Sequence, residues 1–294
     1  MEQRPTYRAH FVALDITLCI GFDMPKGITS TEGLIRKIFK TTHADDESLF
    51  YRGHAKESYL LEPSLYRKQE LLDAEHLLFR ELLVSNPADF SSDSSTFEKL
   101  VRMQHYSLPT RLLDLTSNPL IALYFACKSH ENVTAEVIVF KIKNTEIKFF
   151  DSDTVSCLAN LARLQKHDKD QIDFALAQAP FNTDLPITKL LHFIREEKSF
   201  FVEKIVPGDL QRIVCVRGKM TNNRIVSQSG AFLIFGLGAQ LTAGHPSISI
   251  ERISINKNDK NKILDELDAL NINESTVFPY IENSARYISR KYGA

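Results

Sequence analysis

The stretch Met103-Gln104-His105-Tyr106-Ser107-Leu108-Pro109-Thr110-Arg111-Leu112-Leu113-Asp114, running on through Thr116-Ser117-Asn118-Pro119-Leu120-Ile121-Ala122-Leu123-Tyr124-Phe125-Ala126, decides the reading of this chain. It crowds Gln, His, Tyr, Thr, Arg and Asp into a short turn-bearing span and then passes straight into a strongly apolar helix. Polar groups pressed against a core element need partners in the protein or on a ligand. Asn118 is suited to cap the helix, Pro119 to open its first turn, and the apolar run from Leu120 to Cys127 to bury it. Free N–H groups and a partial positive charge at a helix start favour phosphate or pyrophosphate. The segment therefore reads as the floor of a ligand pocket.

Working outward, residues 1 to about 30 read as a strand or two with loops. Apolar spacing predicts a short helix over 31–39, a strand over 49–53 ending at a turn on Gly53, and an amphipathic helix over 71–84. A Ser-rich loop over 91–96 places Thr96 as the cap of a helix over 97–105. Further strands are expected at 136–142, 212–216, 224–226 and 231–235, and helices at 155–177, 187–201, 260–270 and 278–290. The pattern describes one compact α+β domain over 1–294. Its motif core runs over about 49–240, with a helical insertion at about 155–201 and a helical tail at about 256–290.

At 294 residues, with 43% hydrophobic and 25% charged, the chain can bury a substantial core. A formal net charge of -1 gives no global drive toward nucleic acid or an anionic membrane. The start of the chain shows no signal-peptide pattern, and no apolar run is long enough to span a bilayer. The four cysteines, Cys19, Cys127, Cys157 and Cys215, lack zinc spacing or a disulfide framework, and Cys127 and Cys215 read as core thiols. The expected compartment is a reducing cytoplasm.

Three separated segments can carry chemistry: Tyr51-Arg52-Gly53-His54, the central block, and Asn223-Arg224-Ile225-Val226-Ser227-Gln228-Ser229-Gly230-Ala231-Phe232. Each residue also has a plain structural reading: Arg52 in a strand-end pair, Gln104 and His105 cross-linking a turn, Arg111 paired with Asp114, Gln228 in a bulge. Glu196 and Glu197, flanked by Arg195 and Lys198, read as a solvated helix face. Missing are a phosphate-binding Gly-rich loop, a dinucleotide glycine fingerprint, a His-Glu-x-x-His helix, a Gly-x-Ser-x-Gly elbow and any metal-ligand spacing. No metal is expected.

The chain resembles the FRG domain family, through Tyr51-Arg52-Gly53, Leu61-Glu62-Pro63-Ser64-Leu65-Tyr66-Arg67, the central block, Gln228-Ser229-Gly230-Ala231-Phe232 and Asn273-Glu274 with Phe278-Pro279. Ser107 stands where that family usually has glycine, implying that φ > 0 is not needed there. Leu115 replaces a usual aromatic, so no stacking is expected from that position. The order of motifs in turn resembles ADP-ribosyltransferases, which implies their α+β fold around a mixed or antiparallel sheet and NAD as substrate. On that resemblance Arg52 matches the arginine that holds the NAD phosphates or ribose, and Thr116-Ser117 the strand supporting the nicotinamide pocket. Gln228 falls where a catalytic glutamate stands. An amide only orients groups, so Asp114 is the first candidate to supply the missing carboxylate.

The expected catalytic residues are thus Asp114, Gln228 and His105. Ligand binding is assigned to Tyr51, Arg52, Gly53, Gln104, Tyr106, Thr110, Arg111, Thr116, Ser117, Asn118 and Gly230, with Arg52 and Arg111 as a charge clamp. The resemblance implies an intracellular toxin or phage-defence effector that cleaves the nicotinamide–ribose bond of NAD and passes ADP-ribose to an acceptor macromolecule. The expected partner is a small-molecule nucleotide; the acceptor macromolecule or restraining partner protein is left open, and no membrane is expected. The alternative is a non-catalytic module binding a nucleotide or a nucleic-acid end with the same pocket. A third reading gives the motifs a purely architectural role.

Overall fold

Strands β1 (Glu47–His54), β2 (Leu112–Thr116), β3 (Ala135–Lys143), β4 (Ile147–Phe149), β5 (Ile213–Arg217), β6 (Gly230–Phe235) and β7 (Ile248–Ile255) join in one sheet of order β4-β5-β6-β2-β1-β3-β7. This computed structural model describes residues 27–219, 223–242 and 244–293, so the strands and loops expected before about residue 30 lie almost wholly outside the described residues. The β4–β5 pair is parallel and the remaining pairs are antiparallel, giving a mixed sheet in an α+β fold.

The first helices are α1 (Thr31–Lys40), α2 (Gln69–Asp73), α3 (Glu75–Ser85), α4 (Thr96–His105) and α5 (Pro119–Cys127). Then come α6 (Asp153–Asn160), α7 (Lys166–Asp170), α8 (Gln178–Thr183), α9 (Leu185–Glu197) and α10 (Asn223–Gln228). The last are α11 (Lys260–Ala269), α12 (Glu274–Val277) and α13 (Ile281–Lys291). Among the described residues no helix is long and apolar enough to cross a membrane.

Side chains alternate across each strand, and the sheet buries its two faces differently. One face carries a single cluster that includes Phe50, Leu113, Ile138, Cys215 and Leu233. The opposite face is covered in two separate patches. Helices α4, α6 and α9 pack on β5, β6 and β2 through Phe97, Leu158, Leu190, Val214, Phe232 and Leu112. Helices α5 and α11 pack on β1, β3 and β7 through Ala122, Leu123, Ile263, Tyr51, Val137 and Ile253. The seam between the patches runs along the β1–β2 joint.

That joint is barely made. β1 pairs with β3 from Glu47 to His54 and β2 pairs with β6 from Leu112 to Thr116, yet β1 and β2 share only the Tyr51–Thr116 pair. Gly53 lies inside β1, not at a turn as expected, because α5 presses on the strand there. A Cβ on Gly53 would stand 1.9 Å from the Ala122 carbonyl oxygen.

Several other expectations are corrected. The helix expected over 71–84 is broken at Ala74 into α2 and α3. Ser95, not Thr96, caps α4, with its hydroxyl accepting from the Glu98 N–H. The helix expected over 155–177 gives way after Asn160 to a 3-10 turn and the short α7. Residues 224–226 are helical within α10, not a strand. β2, β4 and β7 complete the sheet beyond the strands read from the sequence. Glu197 is not on a solvated face: it accepts from the Thr96 N–H at 2.6 Å and the Asn160 side chain at 3.0 Å.

Ser107 adopts φ 66°, contrary to the expectation that the position does not need it. The cause is the C-terminus of α4, where Leu108 N–H bonds to the Met103 carbonyl and Ser107 N–H to that of Gln104, both at 3.0 Å. This double closure demands a left-handed residue after the helix, with an apolar contact from Leu108 back to the core.

Candidate functional site

Where the β1–β2 ladder lapses, a cavity of about 140 Å³ opens, lined by Tyr51, Arg52, Gly53, Asp114, Leu115, Thr116, Ile121, Ala122, Phe125 and Gln228. Three distant segments thus meet in one cleft, at the seam between the two helical patches. α5 forms one wall through Ile121, Ala122 and Phe125, while Asn118, whose side chain accepts from the Leu120 N–H at 2.9 Å, and Pro119 set the helix start outside the lining.

Arg52 leaves β1 on the side of Phe50 and bends into the opening. Its Nη1 donates to the Asp114 carbonyl oxygen at 2.7 Å, bridging the gap where ladder bonds would otherwise run. Its Nε donates to His54 Nε2 at 3.2 Å. Two of its five N–H donors are therefore satisfied by the protein, and among the described residues its guanidinium makes no ion pair. Burial lowers its pKa, partly offset by the negative charge of Asp114. A half-buried cation held this way presents its remaining donors to the cleft.

Asp114 sits opposite. Its Oδ2 accepts from Gln104 Nε2 at 3.1 Å, while Gln104 Oε1 accepts from the Thr110 hydroxyl at 2.5 Å. Gln104 and Thr110 thus brace β2 and orient the Asp114 carboxylate from behind; neither lines the cavity. Thr116 accepts from the Asn118 N–H at 3.0 Å and donates to the Gln228 carbonyl at 2.6 Å, tying β2 to the end of α10. Gln228 Nε2 donates to the Val277 carbonyl at 3.1 Å, so α12 sets the side-chain amide.

The remaining sequence candidates lie elsewhere. Arg111 is fully buried and forms no pair with Asp114. Its Nε and Nη2 donate to Glu75 at 2.8 and 2.5 Å, and Nη1 to the Phe235 carbonyl at 2.9 Å. Burial opposes the Glu75 charge, but Arg111 and Lys169 outweigh it and hold that carboxyl below its usual range. Arg111 is a core tie, not half of a clamp. Ser117 and Gly230 line a second groove at the other end of β1, with His43, Glu47 and Arg217. His105 bonds through Nε2 to the Tyr280 hydroxyl at 2.9 Å and packs at a 40° tilt against the exposed ring of Tyr106. It joins α4 to the segment between α12 and α13. Among the described residues no group of three His, Cys, Asp or Glu could hold a metal ion.

Two participants stand in segments the sequence reading singled out but were given no role there. His54 is buried behind Arg52, and its Nδ1 lies 3.2 Å from Glu136 Oε1. Glu136, also buried, accepts from Arg252 as well. The signal was strand periodicity: Arg52 and His54 are two residues apart and share a face. Phe125 is the other, its ring edge-on to Phe278 at 5.7 Å in the wall of the cleft.

The family model of the FRG domain matches residues 47–135. The chain carries an FRG domain. No curated protein and no solved structure matches the chain. The matched FRG segment opens with β1 and ends as β3 begins, so it supplies Arg52, Asp114 and α5, the two facing walls of the cleft. Gln228, which closes the third side, Val277, which holds its amide, and Glu136, behind His54, come from beyond it.

Proposed function

We propose that this FRG protein consumes NAD in the manner of an ADP-ribosyltransferase, with the β1–β2 cleft seating the nicotinamide–ribose end. The observation that carries the reading is the Arg52 guanidinium, without an ion-pair partner among the described residues, facing the cleft across from the Asp114 carboxylate. A cation without a carboxylate partner suits a phosphate, and guanidinium geometry suits it bidentately. At about 140 Å³ the cavity admits one ring of a dinucleotide, well below the roughly 300–1,000 Å³ of whole-ligand pockets. The pyrophosphate then lies at the mouth, against Arg52 and the start of α5.

In the proposed reaction the bond between the ribose anomeric carbon and the nicotinamide nitrogen breaks, and both electrons leave with neutral nicotinamide. Asp114 offers negative charge to the oxocarbenium ion left behind, and Gln104 keeps that carboxylate oriented. Leu115, Ile121, Ala122 and Phe125 limit water around the reacting carbon. An acceptor hydroxyl or amine then bonds to that carbon and gives up its proton to a base. Unrestrained NAD turnover would harm a cell, which accords with a toxin or defence effector.

A second reading, a nucleotide-binding module without chemistry, draws on the neutral Gln228 amide held to Val277. Incubation with NAD, with and without cell lysate, followed by quantification of free nicotinamide, decides between them. The expected result is nicotinamide release that is lost in Arg52→Lys together with NAD affinity. Binding of NAD without release would favour the module. Calorimetry showing no binding of NAD, ADP-ribose or ADP would refute both.

A further inference from the structure

The polar chain behind Arg52 runs away from the cleft through three strands. His54 and Glu136 are cross-strand partners on β1 and β3, and Arg252 on β7 lies diagonal to Glu136 and donates to its carboxylate. Glu136 is 3% exposed and His54 2% exposed, so each needs its partners. Burial opposes the Glu136 charge, but hydrogen bonds from His54 and Arg252 outweigh it and hold the carboxyl below its usual range.

An ionised Glu136 fixes the tautomer of His54. The proton sits on Nδ1 and donates to Glu136, which leaves Nε2 as a bare acceptor facing the Arg52 Nε–H at 3.2 Å. We infer that His54 is a positioning residue that aims Arg52 into the cleft only while its imidazole is neutral, making ligand capture by this site sensitive to acid. The inference rests on the reading of the cleft as a nucleotide site. Protonation would turn Nε2 into a second donor pointed at a donor, beside a fixed cation, and Arg52 would have to leave its place.

The charged and titratable surroundings of His54 favour the neutral form. Burial pushes its pKa down, the hydrogen bond and charge of Glu136 pull it up, and the Arg52 and Arg252 charges push it down again; the balance lies below the ordinary histidine value. From the loop after β1, Tyr59 meets the imidazole edge-on at 5.8 Å, with its hydroxyl on His130 and Lys56 above its ring. No charge from that side replaces Glu136 as the partner of Nδ1.

The test is calorimetric titration of the intact protein with NAD between pH 8 and 5, for the native chain, His54→Gln and His54→Leu. NAD keeps its phosphate charges throughout. Affinity of the native protein should hold above the titration of His54 and then fall by up to about tenfold per pH unit. In His54→Gln the amide oxygen accepts from Arg52 and the amide N–H donates to Glu136 at every pH, so the profile should be flat. His54→Leu should bind weakly throughout. The Arg52 Nε–H resonance, assigned by its loss in Arg52→Lys, gives a readout without ligand and should shift with His54 titration in the native chain alone. A native-like acid profile in His54→Gln, or an Arg52 signal that ignores His54 protonation, overturns the inference. Coupled titration of Arg52 and His54 in a protein that never binds NAD would refute the nucleotide reading and leave the positioning role standing.

Discussion

Arg111 is the site candidate whose structural role is most sharply testable. It lies in the strongest motif of the chain, yet its guanidinium is spent inside the core on Glu75 and the Phe235 carbonyl, with Lys169 Nζ 2.5 Å from the same Glu75 carboxylate. Arg111→Met keeps the Glu75–Lys169 pair and leaves the Phe235 carbonyl with the Tyr66 hydroxyl, at 3.3 Å, as its side-chain donor. Breaking one partner of a buried pair costs about 3–5 kcal/mol, and the surviving lysine places this variant near the lower end. Glu75→Leu is the harsher change, because it leaves Arg111 and Lys169, two buried cations, facing each other with no anion. It should lose roughly 5 kcal/mol or more. At about 2–4 °C per kcal/mol for chains approaching this size, Arg111→Met should lower Tm by about 6–12 °C and Glu75→Leu by more. Differential scanning calorimetry reads the order, and NAD calorimetry below the transition should show native affinity for Arg111→Met. An unshifted Tm with lost NAD affinity would return Arg111 to the ligand site and refute the core assignment.

Asp114→Asn should cut nicotinamide release by about 10²-fold or more in single-turnover assays while NAD affinity changes little, since in the proposed reaction its charge acts mainly on the transition state; equal losses in both would make it a binding residue. Gly53→Ala would drive α5 off β1, because a Cβ 1.9 Å from the Ala122 oxygen needs about 1.5 Å more room. It should cost about 1–3 kcal/mol in denaturant melts and deform the cleft that both residues line. Ser107→Gly should raise stability by about 1 kcal/mol by removing a side chain from φ 66°. Thermal stability should fall from pH 7 to 5, because His54 has a lowered native pKa and the unfolded chain takes up its proton first. His76 and His245 are lowered as well, each chiefly by burial, so His54→Gln should reduce that slope without removing it. Below the ordinary carboxylate range a second loss should follow as Glu75 and Glu136 protonate through their lowered values.

The parts legible in the sequence are those governed by local rules. α5 is fixed by an Asn cap, a first-turn proline and an apolar run, each within a few residues. β7 obeys no such rule. Ile248 packs with the cluster under one sheet face, whereas Ile253 and Ile255 pack under the other. The apolar phase of the strand therefore switches midway, and alternation does not run its whole length. α10 contains β-branched residues that read as a strand, but Ser227 and Gln228 are bound to the Val277 carbonyl, and that tertiary tie overrides propensity. For Arg111 the nearby Asp114 was the obvious partner, while the actual one is 36 residues away on another element. Arg52, Asp114 and Gln228 could be grouped because each stood in a polar segment with no local use for it. Their common cleft is a tertiary fact that no spacing encodes.

The cleft exists because the sheet forgoes hydrogen bonds. Between Arg52–His54 and Leu112–Leu115 the strands run as neighbours in order but share no further ladder pair, so backbone groups there need other partners. Arg52 Nη1 supplies one to the Asp114 carbonyl, and Gln104 Nε2 supplies another to the Leu112 carbonyl. The side chains that hold the strands apart are thus the same ones that present a cation and orient a carboxylate. The opening and its polar lining are built by one set of residues. The FRG motifs are polar and turn-bearing in the middle of a core for that reason: they replace a ladder, and the space the ladder would have filled becomes the pocket.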